Sequence, residues 1–378
     1  MPAGASVPRH AGAVLTVDLD AIAANWRLLQ GLCGDAECGA VVKADGYGLG
    51  ALPVGRALAA AGCRRFFVAA IDEGVRLRDA LPADAQIYVL NGLMGDGTAE
   101  TFDLYGLVPV LNSPDDIARW SAHAGRTGTR RAILALDTGM ARLGLSPAEV
   151  RALAADPGRL AGISLDFVMS HLACAEDRDN PMNDAQRRSF DELRAVLPAT
   201  PASLANSGGI FLGGDFLYDL ARPGAALYGV SRSTGATTSL SQVVALKGKV
   251  IQVRVIDSES TVGYGATCRV RSGARLATVA VGYADGYFRT LSNNGHGYAD
   301  GIRVPVVGRV SMDLVTFDIS DTAPETVRPG SDIDLIGDRH TVDDLAEEAG
   351  TIGYEVLTAL GQRYRREYTG GPAAEDRT

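Results

Sequence analysis

Eight short apolar runs typical of β-strands alternate with amphipathic stretches through the first part of the chain. The runs are AVVK, RFFVAA, IYVLN, VPVLN, ILALD, DFVMSH, ASLAN and DLAR. The stretches between them predict helices, several with Ser, Asp or Pro near their first turn, over residues 52–61, 72–80, 113–123, 147–155 and 184–196. Such alternation is typical of a parallel sheet whose strands are joined by helices.

The count of eight favours a closed (β/α)8 barrel of the TIM type, an α/β fold. An open doubly wound sheet usually has about five or six strands and a glycine fingerprint after the first one. In this chain the segment KADGYGLG follows instead. The carboxyl ends of barrel strands form one mouth that holds the active site. The residues that we expect to ring this mouth are Lys43, Ala70, Asn91, Asn112, Asp137, His171, Asn206 and Arg222.

The pattern changes near residue 238 to the alternation of apolar and polar residues that predicts a mainly β domain, as in LKGKVIQVRVID. Two helices are expected near its end. TVDDLAEEAG has Thr341 as an N-cap, and YEVLTALGQRYRREY carries basic residues late. The expected organisation is a barrel domain over residues 14–237, a β domain over 238–370 and a disordered tail over 371–378. The strand in AVLTVDLD exceeds the count of eight and is a candidate to join the β domain.

Composition excludes several classes of partner. The net charge of -9 argues against binding to nucleic acid or to an anionic membrane. No apolar run approaches the roughly 20 residues of a membrane span, and the first residues lack a basic region followed by an uninterrupted apolar core. We therefore expect a cytoplasmic protein.

Neither the cysteines nor the histidines predict a cross-link or a metal site. The five cysteines are odd in number and scattered, which makes a disulfide framework unlikely; they are Cys33, Cys38, Cys63, Cys174 and Cys268. The five histidines are too dispersed in the sequence to suggest a metal cluster; they are His10, His123, His171, His296 and His340. No metal is expected.

Lys43 follows the buried run AVV, which leaves two interpretations. It is either an ordinary solvated strand end or an amine in a dry cleft, where burial lowers the pKa and frees a nucleophile. A position at a barrel mouth favours the second interpretation. The segments ANSGG and RPGAALYG would supply hydroxyl and backbone N–H groups for a phosphate at the last strands.

Together these stretches resemble the alanine racemases, fold-type III enzymes that use pyridoxal phosphate (PLP). The resemblance covers nearly the whole chain. The segments that carry it are VVKADGYGLG, DTGMARLG, SHLACAED, ANSGG, RPGAALYG, TVGYGAT, VGYADGY, GRVSMD and GYEVLTALGQR. It implies interconversion of L-alanine and D-alanine by a homodimer, in which each active site combines one barrel mouth with the β domain of the other subunit.

The resemblance also assigns catalytic roles. Lys43 would hold PLP covalently and act as the base on one face of the α-carbon, and Tyr264 of the other subunit would act on the opposite face. Because a free phenol is a weak base at neutral pH, Tyr264 needs support from His171 and Arg222. Arg222 would bond the pyridine nitrogen and keep it unprotonated, which favours racemisation over transamination.

Further residues would bind the cofactor and the substrate. The resemblance places Tyr47, Asn206, Ser207, Gly224 and Tyr354 at the cofactor, most of them at its phosphate. Arg142 would contact the PLP phenolic oxygen and the substrate carboxylate, with Met312 and Asp313 of the partner on the same side. Tyr283 and Tyr354 would narrow the entrance, which favours a methyl side chain.

One position departs from the family pattern. Many alanine racemases carry a carbamylated lysine two residues before the aspartate of DTGM, where this chain has Ala135. Alanine cannot be carbamylated, and we expect Arg142 to be a buried guanidinium whose charge needs another partner. A bound anion near Arg142, such as chloride, or a nearby carboxylate that the sequence does not identify, is the expected substitute.

Three other functions compete with this interpretation. An amino-acid racemase of broader specificity shares the chemistry, but many are periplasmic. A basic-amino-acid decarboxylase would be expected to show a glycine-run phosphate loop and a cysteine in place of Tyr264. A noncatalytic PLP-binding protein would resemble the barrel alone, without the long β domain.

Overall fold

The computed structural model describes residues 10–95, 97–236 and 238–372. The predicted tail over 371–378 therefore lies, from residue 373 onward, outside the described residues. The chain divides into two compact units. Asp20–Ser241 form the first, and the described residues up to Leu19 form the second together with Gln242–Gly370.

The first two elements are β1 (Ala13–Asp18) and α1 (Leu19–Leu32). Short strands and helices then follow one another through the first unit. In chain order they are β2 (Glu37–Cys38), β3 (Ala40–Val41), α2 (Lys43–Tyr47), α3 (Ala51–Ala61), β4 (Arg65–Val68), α4 (Ile71–Arg78), β5 (Gln86–Val89), α5 (Thr98–Tyr105), β6 (Leu107–Leu111), α6 (Pro114–Thr127), β7 (Arg130–Ala135), α7 (Pro147–Ala155), β8 (Ile163–Met169), α8 (Pro181–Ala195), β9 (Ala202–Ser203), α9 (Ser207–Leu212) and β10 (Leu220–Ala221).

Strands β3 to β9 form a parallel sheet in sequence order, and β10 closes it into a ring. On one side of β10, the Arg222 N–H donates to the Ala205 carbonyl at 2.9 Å. On its other side, β10 pairs with β2, and the Val41 N–H donates to the Pro223 carbonyl at 2.8 Å. Each of the eight predicted runs overlaps one of these strands, and the predicted barrel is confirmed.

The barrel strands are buried on both faces because helices cover the outside of the ring. All five residues of β6 are buried, for example. The helices begin where the sequence provides caps. The hydroxyl of Ser113 accepts the Asp116 N–H at 3.1 Å at the start of α6, and Ser146 forms a capping box with Glu149 at the start of α7. These caps orient the helices that pack on the strands.

The second unit is mainly β, as predicted. Its elements after β1 are β11 (Val244–Val255), β12 (Ser260–Val262), β13 (Cys268–Val270), β14 (Arg275–Val279), β15 (His296–Ala299), β16 (Ile302–Pro305), β17 (Val315–Asp318), β18 (Asp332–Ile336), α10 (Val342–Ala349), α11 (Gly353–Ala359) and β19 (Arg365–Thr369). One sheet has the order β16-β15-β18-β11-β1-β19, and β14 joins β11 to β17. Strand β1 lies between β11 and β19, and alternate residues of it are buried.

The two helices expected near the end had different outcomes. Helix α10 begins as predicted, where the Thr341 hydroxyl accepts the Asp344 N–H at 3.2 Å. The prediction of a helix over YEVLTALGQRYRREY was wrong in its second half, because α11 ends at Ala359 and Arg365–Thr369 form β19. Parallel pairing of β19 with β1 satisfies the backbone of these residues and overrides their helical pattern. Among the described residues, no helix is long and apolar enough to cross a membrane.

Candidate active site

Lys43 opens a left-handed turn instead of ending a strand, since β3 ends at Val41. Ala44, Asp45 and Gly46 have φ of 53°, 54° and 64°, and Tyr47 has φ of 55°. Left-handed backbone costs a residue with a side chain roughly 1–2 kcal/mol. Such strain persists only where the surroundings hold it, and it clusters at functional sites. Asp45 contributes by accepting the Ala51 N–H at 2.8 Å.

Glu73, in the first turn of α4, also holds the turn. Its carboxylate accepts the N–H groups of Ala44 and Ala69, each at 2.7 Å, and that of Ala70 at 3.3 Å. Burial and then the charge of Arg142 lower the pKa of Lys43, while the charge of Glu73 opposes this shift. Glu73 was not predicted from the sequence. The available signal was an acidic residue in the first turn of the helix after a strand. Such a residue usually serves only to offset the helix dipole.

His171 lies among three cations. Burial, followed by the charges of Arg222, Arg142 and Lys43, lowers its pKa to about 3. Its imidazole is therefore neutral at pH 7. Four different loops of the barrel unit carry these four side chains. The three cations are close enough to His171 for their charges to lower its pKa. A cluster of this charge suits an anionic ligand.

Arg222 is buried, and two of its guanidinium nitrogens bond to the barrel wall. Its Nη2 donates to the Ser170 carbonyl at 2.6 Å, and its Nη1 donates to the Ser203 hydroxyl. Burial lowers its pKa to about 10, so the guanidinium stays charged at neutral pH. Ser203 was not singled out in the sequence, where it reads as an interior strand residue.

Ser207, Gly224 and Tyr47 lie together at the last strands. The Ser207 hydroxyl accepts the N–H groups of Gly224 at 2.9 Å and of Ala226 at 3.3 Å. The Tyr47 ring stacks on Tyr228 with centroids 4.7 Å apart, which directs its hydroxyl toward Gly224. A Cβ atom on Gly224 would overlap that hydroxyl. Only glycine therefore leaves room for the phenol at this point.

Gln186, in the middle of α8, fixes the loop that follows β8. Its side chain is fully buried; it accepts the Ala173 N–H at 2.8 Å and donates to the His171 carbonyl at 2.9 Å. Asn206 donates to the Leu172 carbonyl of the same loop at 3.2 Å. Gln186 was not predicted, since a glutamine inside a helix usually faces solvent.

Arg142 differs from the expectation. The residue is exposed within this chain, so the expected buried guanidinium was wrong for the chain alone. The loop that carries it is nonetheless ordered by Asp137, whose Oδ1 accepts the N–H groups of Gly139, Met140 and Ala141 at 2.9 to 3.1 Å. Ala135 is buried at the end of β7, like the three residues before it.

The second unit holds the remaining predicted residues. Tyr264 lies in a short 3-10 turn, Tyr264–Ala266, and is 71% exposed. Gly263 and Gly265, on either side of it, have φ of 71° and 73°. Glycine adopts such positive φ values without strain, whereas a residue with a side chain would be strained there. The turn therefore projects an aromatic side chain away from its own unit.

Tyr283, Met312 and Asp313 come together on the same unit. The N–H groups of Tyr283 and Ala284 donate to the carbonyls of Ser311 and Met312, both at 3.0 Å. Met312 is 53% exposed. Tyr354 is half-buried in the first turn of α11.

Arg363 fixes Asp313 and was missed in the sequence. Its Nη1 donates to Asp313 at 2.6 Å, and its Nε and Nη2 donate to Asp285 at 2.6 and 2.8 Å. The two carboxylates raise the pKa of the guanidinium. A bidentate pair with Asp285 gives Arg363 a defined direction, which in turn orients Asp313.

Comparisons with known proteins agree over both units. The family model described as alanine racemase, N-terminal domain, matches residues 17–232, and the model described as alanine racemase, C-terminal domain, matches residues 243–368. An alanine racemase of Rhodospirillum rubrum is 53% identical over 363 residues, which are 96% of this chain and 97% of the relative. A catabolic alanine racemase of Mesorhizobium japonicum is 47% identical over 362 residues, which are 96% of this chain and 94% of the relative.

A solved structure shows the same similarity. The crystal structure of alanine racemase from Bartonella henselae with covalently bound pyridoxal phosphate superposes with a TM-score of 0.91 at 40% identity. The match covers 95% of this chain and 100% of that one. The similarity thus extends over the barrel and the β unit alike.

Proposed function

The chain belongs to the alanine racemase family and interconverts L-alanine and D-alanine with pyridoxal phosphate, and we propose that Lys43 and Tyr264 are its two bases. When bound, PLP supplies the electron sink that makes the α-proton of an amino acid acidic. The protein must then bind the cofactor, hold the substrate and move a proton on each face of the α-carbon.

The residues at the barrel mouth fit PLP. The hydroxyls of Tyr47 and Ser207 meet at Gly224, and hydroxyl groups at the end of the last strands suit a phosphate. Asn206 supports this segment by accepting the Gly209 N–H at 2.9 Å. The cluster of Lys43, Arg142, His171 and Arg222 complements both a phosphate and a substrate carboxylate.

Lys43 is the proposed attachment point and the first base. Its lowered pKa increases the fraction of neutral amine, which is the form that reacts with an aldehyde and accepts a proton. Glu73 limits this effect with its own charge and holds the turn that aims the side chain. The left-handed backbone from Ala44 to Tyr47 places Lys43 and Tyr47 on a single short turn.

Arg222 is proposed to donate to the pyridine nitrogen of PLP. Its pKa of about 10 keeps it charged at neutral pH, so it can only donate, and the ring nitrogen that accepts its hydrogen bond must be unprotonated. Its bonds to Ser170 and Ser203 hold the guanidinium in the wall. A cofactor whose ring nitrogen stays unprotonated is a weaker electron sink, which limits transamination.

Tyr264 is the proposed second base, contributed by the other subunit of a homodimer. Its 71% exposure, together with exposed Tyr283 and Met312 on the same unit, leaves an aromatic and apolar surface that a second copy would cover. Neutral His171 can accept a hydrogen bond from the phenol O–H, since its pKa of about 3 leaves one ring nitrogen unprotonated. Met312 and Asp313, the latter oriented by Arg363, are proposed to line the carboxylate side.

Exchange of the α-proton with solvent deuterium tests the two-base assignment. Tyr264→Phe should slow exchange from L-alanine more than from D-alanine, because each enantiomer presents its proton to a different base. Lys43→Ala should remove the covalent PLP absorption. Equal losses for both enantiomers in Tyr264→Phe would count against two bases.

Mixing two inactive variants tests the shared site. Dimers formed from one Lys43→Ala chain and one Tyr264→Phe chain contain one intact site, so activity should return. The control is exchange of differently tagged subunits, which shows that mixed dimers form. Mixed dimers without activity would refute the composite site.

Specificity for alanine is proposed to come from Tyr283 and Tyr354. Both would narrow the approach, and replacing Tyr354 with Ala should improve the kcat/KM ratio of serine to alanine. An unchanged ratio would favour the broader-specificity alternative. The cytoplasmic location stays a prediction, which cell fractionation tests.

A further inference from the structure

Two histidines that lie far apart in the sequence stack on each other in the second unit. The ring centroids of His296 and His340 are 4.1 Å apart, with 29° between the ring planes. One oxygen of Glu348 contacts Nδ1 of His296, and the other lies 3.4 Å from Nε2 of His340. This cluster was not predicted, because its two histidines are far apart in the sequence.

The cluster contains buried polar atoms without partners. His340 is 1% exposed, and neither of its ring nitrogens has a hydrogen-bond partner among the described residues. The same holds for Oε2 of Glu348. A buried polar group that loses its hydrogen bonds costs about 1–3 kcal/mol. Several such atoms facing one another indicate a ligand that they share.

We propose that His296, His340 and Glu348 bind one divalent metal ion of the Zn²⁺ type. The three side chains each offer one ligand atom, and these atoms all lie within 4.8 Å of one another. Two imidazoles and one carboxylate are a ligand set that zinc accepts, with a water in the fourth position. Zinc bonds are about 2.0–2.2 Å long, so the two rings must leave their stacked arrangement to bring the three atoms onto one ion.

The backbone around the cluster is well defined. His340 lies in a tight turn closed by reciprocal bonds with Gly337, at 2.8 and 3.1 Å. Glu348 lies in the last turn of α10, and its carbonyl accepts the side-chain amide of Asn294 at 2.6 Å. His296 begins β15. Metal binding would therefore move side chains and leave the elements in place.

A cleft of about 540 Å³ gives access to the cluster. Asp344 and Glu347 line it and add negative charge, whereas Arg303 and Arg339 oppose a cation. Arg303 matters most, because its Nη2 lies 3.2 Å from Nδ1 of His296, one of the proposed ligand atoms. Arg303 and the metal compete for this nitrogen.

Calorimetric titration of the PLP-bound enzyme with ZnCl2, after treatment with a chelator, tests the proposal. We expect one ion per chain and a rise in Tm on binding, because the ion binds the folded state. Glu348→Gln and His340→Gln should each weaken binding by at least about tenfold. Glu347→Gln, in the same cleft, is the matched control and should bind as the wild type does. Arg303→Gln should bind more tightly.

Two results would overturn the proposal: no binding to the wild type, or equal binding to the wild type and Glu348→Gln. Buried thiols are the main competing ligands, since Cys33 and Cys38 lie close together in the first unit. Cys38→Ser should retain the zinc site, and loss of binding in that variant alone would assign the ion to the thiols. If His340→Gln fails to fold, the nearly isosteric Glu348→Gln still decides the matter.

Discussion

The carboxylate of Glu73 accepts the N–H of Ala44 at 2.7 Å, directly after the lysine that is proposed to hold the cofactor. The bond ties the first turn of α4 to a left-handed segment that is strained by itself. The same carboxylate is the acid that raises the pKa of Lys43 against burial and Arg142. Glu73 thus links the geometry of the turn to the protonation of the lysine.

Removing this carboxylate separates the two effects. Glu73→Ala leaves the Ala44 N–H without its partner, so PLP affinity should fall by about tenfold, as for a loss near 1.4 kcal/mol. Glu73→Gln keeps an acceptor but removes the charge, so PLP should still bind while the acid limb of the kcat profile moves to lower pH. Spectroscopic PLP titration and pH–rate profiles measure these outcomes. Identical profiles for Glu73→Gln and the wild type would show that its charge does not act on Lys43.

Gly224 should tolerate no side chain while Tyr47 is present. In Gly224→Ala the new methyl group overlaps the Tyr47 hydroxyl, so we expect PLP binding to weaken by about 100-fold or more. Adding Tyr47→Phe to that variant should recover part of the thermal stability, because it removes the nearest overlapping atom. Gly31→Ala is the control, since nothing lies within 4 Å of a Cβ there. Normal PLP affinity in Gly224→Ala would contradict the proposed phosphate position.

His171 should make the apoenzyme sensitive to acid. Its pKa is about 3 in the folded chain and 6.5 ordinarily, so the unfolded state binds more protons between these values. Stability is full above about pH 6.5 and falls as the pH drops toward 3, by up to about 1.4 kcal/mol per pH unit. His171→Asn should lose less stability over this window. Urea midpoints measured at several pH values test this, and parallel curves for the two proteins would exclude His171 as the cause.

Racemisation should not require bicarbonate. Ala135 occupies the position of the family's carbamylated lysine and is buried in β7, so it offers no amine. We expect full activity in buffer depleted of carbon dioxide and a dependence on halide if a bound anion faces Arg142. Restoration of activity by bicarbonate would refute this. Insensitivity to both ions would indicate that a carboxylate of the protein orients the arginine.

The class of fold follows from local patterns in the sequence. The eight barrel runs and the alternation after residue 238 are such patterns, and each of the eight runs overlaps a strand. Hydrophobic periodicity suffices to predict these elements, because the spacing of apolar residues along the chain shows which face of an element is buried. The cap at Thr341 is equally local, since donor and acceptor lie within one turn. The motifs that carried the family resemblance were also contiguous.

Features that depend on partners from distant segments are fixed only in the folded chain. Arg365–Thr369 became a strand because β1 lies beside it, although its own residues favoured a helix. The left-handed turn at Lys43 is held from Glu73, and the loop of His171 is held from Gln186. His296 and His340 meet only because β15 and the turn before α10 pack together. No local pattern encodes such contacts, because the free energy that fixes them arises only when the remote groups leave water together.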